Sequence, residues 1–90
     1  MSKKRLIKAW REGHRNGYKL KEVVAELKSH GFLVEQGTNH WKAKHSGLVG
    51  SPIAPLGCLI FSAHAYGRQG EIHPSAIRDF VKAIDWIENL

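Results

Sequence analysis

An α+β domain is the fold class this sequence predicts, on three observations. Apolar residues recur at helical spacing in two stretches, Leu20, Val23, Val24 and Leu27, then Ile77, Phe80, Val81, Ile84 and Ile87. Between them stand three short runs of strand character, separated by segments rich in glycine and proline. The chain has 90 residues, enough for one domain with one small core. The predicted order is an added N-terminal helix followed by α-β-β-β-α. A three-stranded antiparallel meander with both main helices on one face would bury the apolar stripes and leave the other face of the sheet free.

Each element has its own signal. Residues 2–12 read as a short helix, with Ser2 as a cap and Leu6, Ile7 and Trp10 as a narrow apolar stripe. Gly13 and Gly17 bracket a break. The second helix covers 19–30, with Gly31 placed as its left-handed terminator. Lys28 and His30 in its last turn suit the negative end of the helix dipole. These two helices do not read as a helix-turn-helix, because the segment joining them is longer than that motif's tight turn and holds two glycines.

Residues 32–36 form the first strand, which meets a turn at Gly37, and the strand from His40 returns as a hairpin. Residues 46–57 hold three glycines and two prolines and read as a loop that lengthens the hairpin, covers a site or carries a partner contact. Residues 58–64 form the third strand, with Leu59, Phe61 and Ala63 on one face, and 65–72 a loop with Gly67 and Gly70. Pro74 opens the last helix, where its missing N–H costs nothing.

Composition narrows the function. Hydrophobic content of 42% and charged content of 24% are globular values. Cys58 is the single cysteine, so no internal disulfide forms, which fits a reducing cytoplasm. No apolar run approaches the roughly 20 residues that span a bilayer, and no apolar stretch follows the N-terminal lysines as a secretory signal would require. Residues 1–31 hold nine Lys/Arg against three acids, whereas 32–90 hold five of each, so the whole net charge of +6 lies in the first third. Such a block attracts polyanions, nucleic acid foremost, through Lys3, Lys4, Arg5, Lys8, Arg11 and Arg15; the competing reading is a solvated, solubilising face.

Chemistry gathers at Gly37-Thr38-Asn39-His40-Trp41-Lys42-Ala43-Lys44. On a strand, a period of two puts His40, Lys42 and Lys44 on one face and Trp41 and Ala43 on the other. One face is then an imidazole beside two ammonium groups, and the other suits a core. A histidine exchanges protons near neutral pH, and two cations in its row favour an anion beside it. That combination suits work on a phosphodiester.

This stretch resembles the Gly-(Ser/Thr)-x-His motif of the HicA toxin family, small bacterial ribonucleases of toxin–antitoxin systems. Phe61-Ser62-Ala63-His64 is similar to the family's second strand, which ends in a histidine. Ile72-His73-Pro74-Ser75-Ala76-Ile77-Arg78 is similar to the start of its last helix. The resemblance covers about residues 18–84. It implies a fold like the double-stranded-RNA-binding domain over 18–90, with 1–17 as a basic helical extension that the family pattern does not require. The long 46–57 segment is a departure, since the family has a short connection there. The resemblance further implies cleavage of mRNA in the cytoplasm and a HicB-type antitoxin as partner.

Metal-independent RNA cleavage needs a base for the 2′-OH, cations for the charge on the phosphoryl oxygens and a proton for the leaving oxygen. His40 matches the family's catalytic histidine and is expected as the base. Lys42 and Lys44 neutralise the phosphate, Thr38 and Asn39 hydrogen-bond sugar or phosphate, and His64 is the candidate acid. The blander alternative is that His40 is an ordinary surface histidine on a non-catalytic RNA- or DNA-binding module, or on a factor that binds a host protein. Trp41 is expected in the core, Trp10 and Trp86 in packing or partner contacts, and His14, His30, His45 and His73 in solvent or at caps.

No metal or other cofactor is expected. There is no His-Glu-x-x-His, no cysteine pair and no carboxylate near His40, and His40 and His45 fall on opposite faces of a continuous strand. Neither a phosphate-cradling glycine loop nor a Gly-x-Ser-x-Gly elbow is present.

Overall fold

The computed structural model describes residues 6–37, 40–62 and 71–90. Along the chain come α1 (Leu6–Arg11), α2 (Leu20–Ser29), β1 (Leu33–Gln36), β2 (Trp41–Val49), β3 (Leu56–Phe61) and α3 (Pro74–Glu88). The strands form one antiparallel sheet in the order β1-β2-β3, so the expected meander is present. Ser2, Lys3, Lys4, Arg5, Thr38, Asn39, Ala63 and His64 lie outside the described residues.

Local chemistry sets the helix ends. At the end of α2, Gly31 takes φ +90, its N–H donates to the Lys28 carbonyl at 3.0 Å, and the Phe32 N–H donates to the Leu27 carbonyl at 3.1 Å. This paired closure satisfies carbonyls of the last turn and brings Phe32 down beside Leu27, so the chain leaves the helix aimed into β1. At the start of α3, Pro74 occupies the first turn and the His73 ring nitrogen Nδ1 accepts the Ser75 N–H at 3.0 Å. The preceding Ile72 is fully buried, and its N–H donates to the Tyr18 carbonyl at 2.9 Å, fastening the entry to α3 onto the segment before α2.

The core lies on one face of the sheet. Val23 and Leu27 of α2, and Ile77, Phe80 and Ile84 of α3, meet Ala43, Leu48 and Phe61 of the strands, all at or near zero exposure. Phe61 stands edge-on to Phe80 with ring centroids 5.0 Å apart. Trp41 is half-buried at the margin of this cluster, a weaker version of its expected place in the core.

Helix α1 belongs to the same core. Trp10 has no exposed surface and lies 5.9 Å from Tyr18 and 6.4 Å from Phe80 by ring centroids. The Glu26 carboxylate accepts the Ile7 N–H at 3.2 Å, and Arg11 reaches α3, where its guanidinium pairs with Asp85 and, at 2.8 Å, with Glu88. Those two carboxylates hold the Arg11 guanidinium above its ordinary range, Glu88 contributing most. Helix α1 is therefore packed structure, held by Ile7, Trp10 and Arg11.

Three expectations are corrected here. The 46–57 segment is not a loop throughout: β2 runs on to Val49 and β3 begins at Leu56, so only 50–55 turn. Of the roles open to that segment, it lengthens the hairpin. Between the pairs Lys44↔Cys58 and Val49↔Leu56, β2 advances five residues while β3 advances two, a bulge that flips the parity of β2 and lets both Ala43 and Leu48 reach the core. Gly50 supplies the φ of +82 at which the chain leaves β2. The turn then folds inward, with Ser51 and Ala54 buried and the Ala54 N–H donating to Ser51 Oγ at 3.0 Å.

His30 is not solvated: its side chain is 7% exposed, with Nε2 2.9 Å from Glu26 and Nδ1 3.8 Å from Glu88. Burying Glu26 against the core requires such partners, so the histidine is held where the carboxylate needs it. His45 is half-buried, edge-on to Phe32 at 5.2 Å, and its Nδ1 accepts the Gly47 N–H at 2.9 Å.

Candidate active site

The hairpin register builds the open face of the sheet. β1 and β2 pair as Leu33↔Lys44, Val34↔Ala43, Glu35↔Lys42 and Gln36↔Trp41. The Gly37 N–H donates to the His40 carbonyl at 2.6 Å, so the ladder runs one step further, to Gly37 opposite His40. A Cβ on Gly37 would lie 3.0 Å from that carbonyl, which accounts for glycine at this position. His40 thus shares parity with Lys42 and Lys44, opposite to buried Ala43. His40 and Lys42 are exposed and Lys44 is partly so. Same-face neighbours along a strand stand about 6.6–6.8 Å apart, so the three groups form one row.

Two more rows cross that face. Leu33, Lys44 and Cys58 stand side by side, as do Glu35, Lys42 and Ile60. Leu33 and Ile60 are 57% and 63% exposed, so nothing among the described residues covers them. Glu35 reaches diagonally to Lys44, with Oε1 2.9 Å from Nζ. The hydrogen bond from Lys44, reinforced by its charge, holds the Glu35 carboxyl below the usual carboxylate range and raises the Lys44 ammonium in return. Lys42 has no ion pair among the described residues.

Sequence reasoning grouped His40, Lys42 and Lys44 correctly on one face and missed the acid among them. The signal was available: a hairpin that sets Gly37 opposite His40 places Glu35 across from Lys42. Of the other residues assigned to RNA, Lys8 is exposed, Arg11 is engaged by Asp85 and Glu88, and Arg15 Nε donates to the Trp10 carbonyl at 2.9 Å. Lys3, Lys4, Arg5, Thr38, Asn39 and His64 fall outside the described residues.

A separate groove between β3 and α3, lined in part by Phe61, Ser62, His73, Ala76 and Asp79, does not include His40 or the lysines. Among the described residues no three of His, Cys, Asp and Glu converge as a metal ligand set. Among them, too, no helix is long and apolar enough to cross a membrane. Comparison of the chain with protein-family models, curated proteins and solved structures returns no match.

Proposed function

We propose that the protein is a HicA-like, toxin-type endoribonuclease that cleaves mRNA in the cytoplasm without a metal, on a fold like the double-stranded-RNA-binding domain. The observation that carries this reading is the row of His40, Lys42 and Lys44 on the uncovered face, entered through the Gly37 turn. His40 takes the proton from a ribose 2′-OH, and the freed oxygen attacks the adjacent phosphorus. The bond from phosphorus to the 5′ oxygen breaks, leaving a cyclic phosphate and a 5′-hydroxyl. Lys42, unpaired among the described residues, stands beside His40 to neutralise the phosphoryl oxygens. His64, the candidate acid that the sequence offers, returns the proton to the leaving oxygen.

A HicB-type antitoxin is the partner this reading requires, and exposed Leu33 and Ile60 beside the cations give a protein apolar surface to cover. The same two residues favour the second reading, a binding module on this fold that contacts a protein or nucleic acid without cutting it. Expression in bacteria separates the two. Growth arrest with RNA breakdown, and RNA cleavage in vitro that survives excess EDTA, support the nuclease. Binding of intact RNA without cleavage supports the module.

A further inference from the structure

We propose that Glu35 is a built-in competitor for phosphate on the open face, so that an RNA phosphate gains Lys44 only by displacing this carboxylate. The inference rests on the ribonuclease reading and adds to it the residue that limits how many cations the site offers. The register fixes Glu35 in the same cross-strand row as Lys42 and one row from Lys44, and its Oε1 lies 2.9 Å from Lys44 Nζ. Nothing buries the pair: the two side chains are 44% and 47% exposed. A carboxylate accepts from an ammonium with the same charge-assisted geometry that a phosphate oxygen uses. Exposed pairs of this kind are loosely held and screened by salt, so an incoming phosphodiester can exchange with the carboxylate.

The consequence is asymmetric. Lys42 is open to the phosphate beside His40, whereas Lys44 answers to Glu35 until a second phosphate arrives. A phosphate beside His40 is then served by Lys42, and a second phosphate along β2 must compete with Glu35 for Lys44, so a bound strand engages Lys44 only part of the time. Glu35 thereby weakens the hold of the site on a single strand.

The test uses a single-stranded oligonucleotide with 2′-deoxyribose, which binds without being cut, titrated against wild type and Glu35→Gln at several salt concentrations. The amide keeps the shape and removes the charge. Wild type is expected to show a salt slope shallower by about 0.7 than Glu35→Gln, which at 0.1 M salt is roughly fivefold weaker binding. In a Lys44→Met background the same substitution at Glu35 should give no gain, because the competitor then has nothing to occupy.

Equal slopes for wild type and Glu35→Gln overturn the proposal. So does a gain that persists with Lys44→Met, which would mean general repulsion by the carboxylate. Parallel cleavage assays on RNA keep the two readings apart. Cleavage by wild type with equal slopes sinks the competitor and spares the nuclease. A steeper slope in Glu35→Gln with no cleavage by any variant does the reverse. Absence of oligonucleotide binding by every variant overturns both.

Discussion

Trp10 of α1 lies against Phe80 of α3, ring centroids 6.4 Å apart, with none of the indole exposed. A residue from the predicted extension is therefore the largest fully buried side chain of the described core. Trp10→Ala should cost about 3–5 kcal/mol, read from denaturant midpoints at constant m. A cost below about 1 kcal/mol would mean that α1 is a dispensable appendage. Truncation before Tyr18 is consequently no test of RNA binding, since it removes core along with charge.

Point neutralisation of the basic residues is the cleaner experiment. Lys8→Gln should lower the salt slope of single-strand binding by about 0.7 if Lys8 touches a phosphate. Arg11→Gln should leave that slope unchanged, because Asp85 and Glu88 already hold the guanidinium. It should instead reduce stability by less than about 1 kcal/mol, the pair being exposed. A slope change for Arg11 and none for Lys8 would reverse the assignment.

The pair of Glu35 and Lys44 gives a pH signature. The folded-state pKa of Glu35 is lowered from an ordinary 4.5, so its contribution to stability is present above that value and is lost as pH falls through the folded pKa. Lys44 is raised from 10.5, so its contribution is present below that value and is lost as pH rises through the folded pKa. The melting temperature of wild type minus that of Glu35→Gln should be positive at neutral pH and shrink toward zero at both extremes. A difference that is constant from acid to alkali would show that the amide acts through something other than this charge pair.

Much of the architecture was legible because it depends on local patterns. The apolar spacing in α2 and α3, Gly31 as a left-handed terminator and Pro74 as an opener act within one turn of chain, and each holds in the structure. The continuation of β2 to Val49 was hidden because the bulge after Lys44 breaks the period of two on which strand recognition depends. Gly47 and Gly50, read as loop residues, serve respectively a strand and the turn that closes it.

His30 was misplaced for a different reason. Its environment is made by Glu26, four residues earlier, together with Glu88 from the far end of the chain, and no local pattern reports the second of these. Of the candidate site, the row of His40, Lys42 and Lys44 follows from alternation within one strand. Glu35 required pairing two strands, a step that the turn length permits but that single-strand periodicity does not supply.

On the proposed reading His40 performs chemistry and does not hold the fold. It is exposed and leaves no cavity when truncated, so His40→Ala should shift stability by less than about 1 kcal/mol. Its neighbour Trp41, on the opposite face and half-buried, is the control: Trp41→Ala should lower stability by about 2–3 kcal/mol, with activity falling only as the fold is lost. The direct measurement is an RNA cleavage assay on His40→Ala at a temperature where its melting curve shows it fully folded. The folded His40→Ala protein is expected to show no cleavage and no toxicity. Cleavage at the wild-type rate, or loss of activity only in step with unfolding, would contradict it.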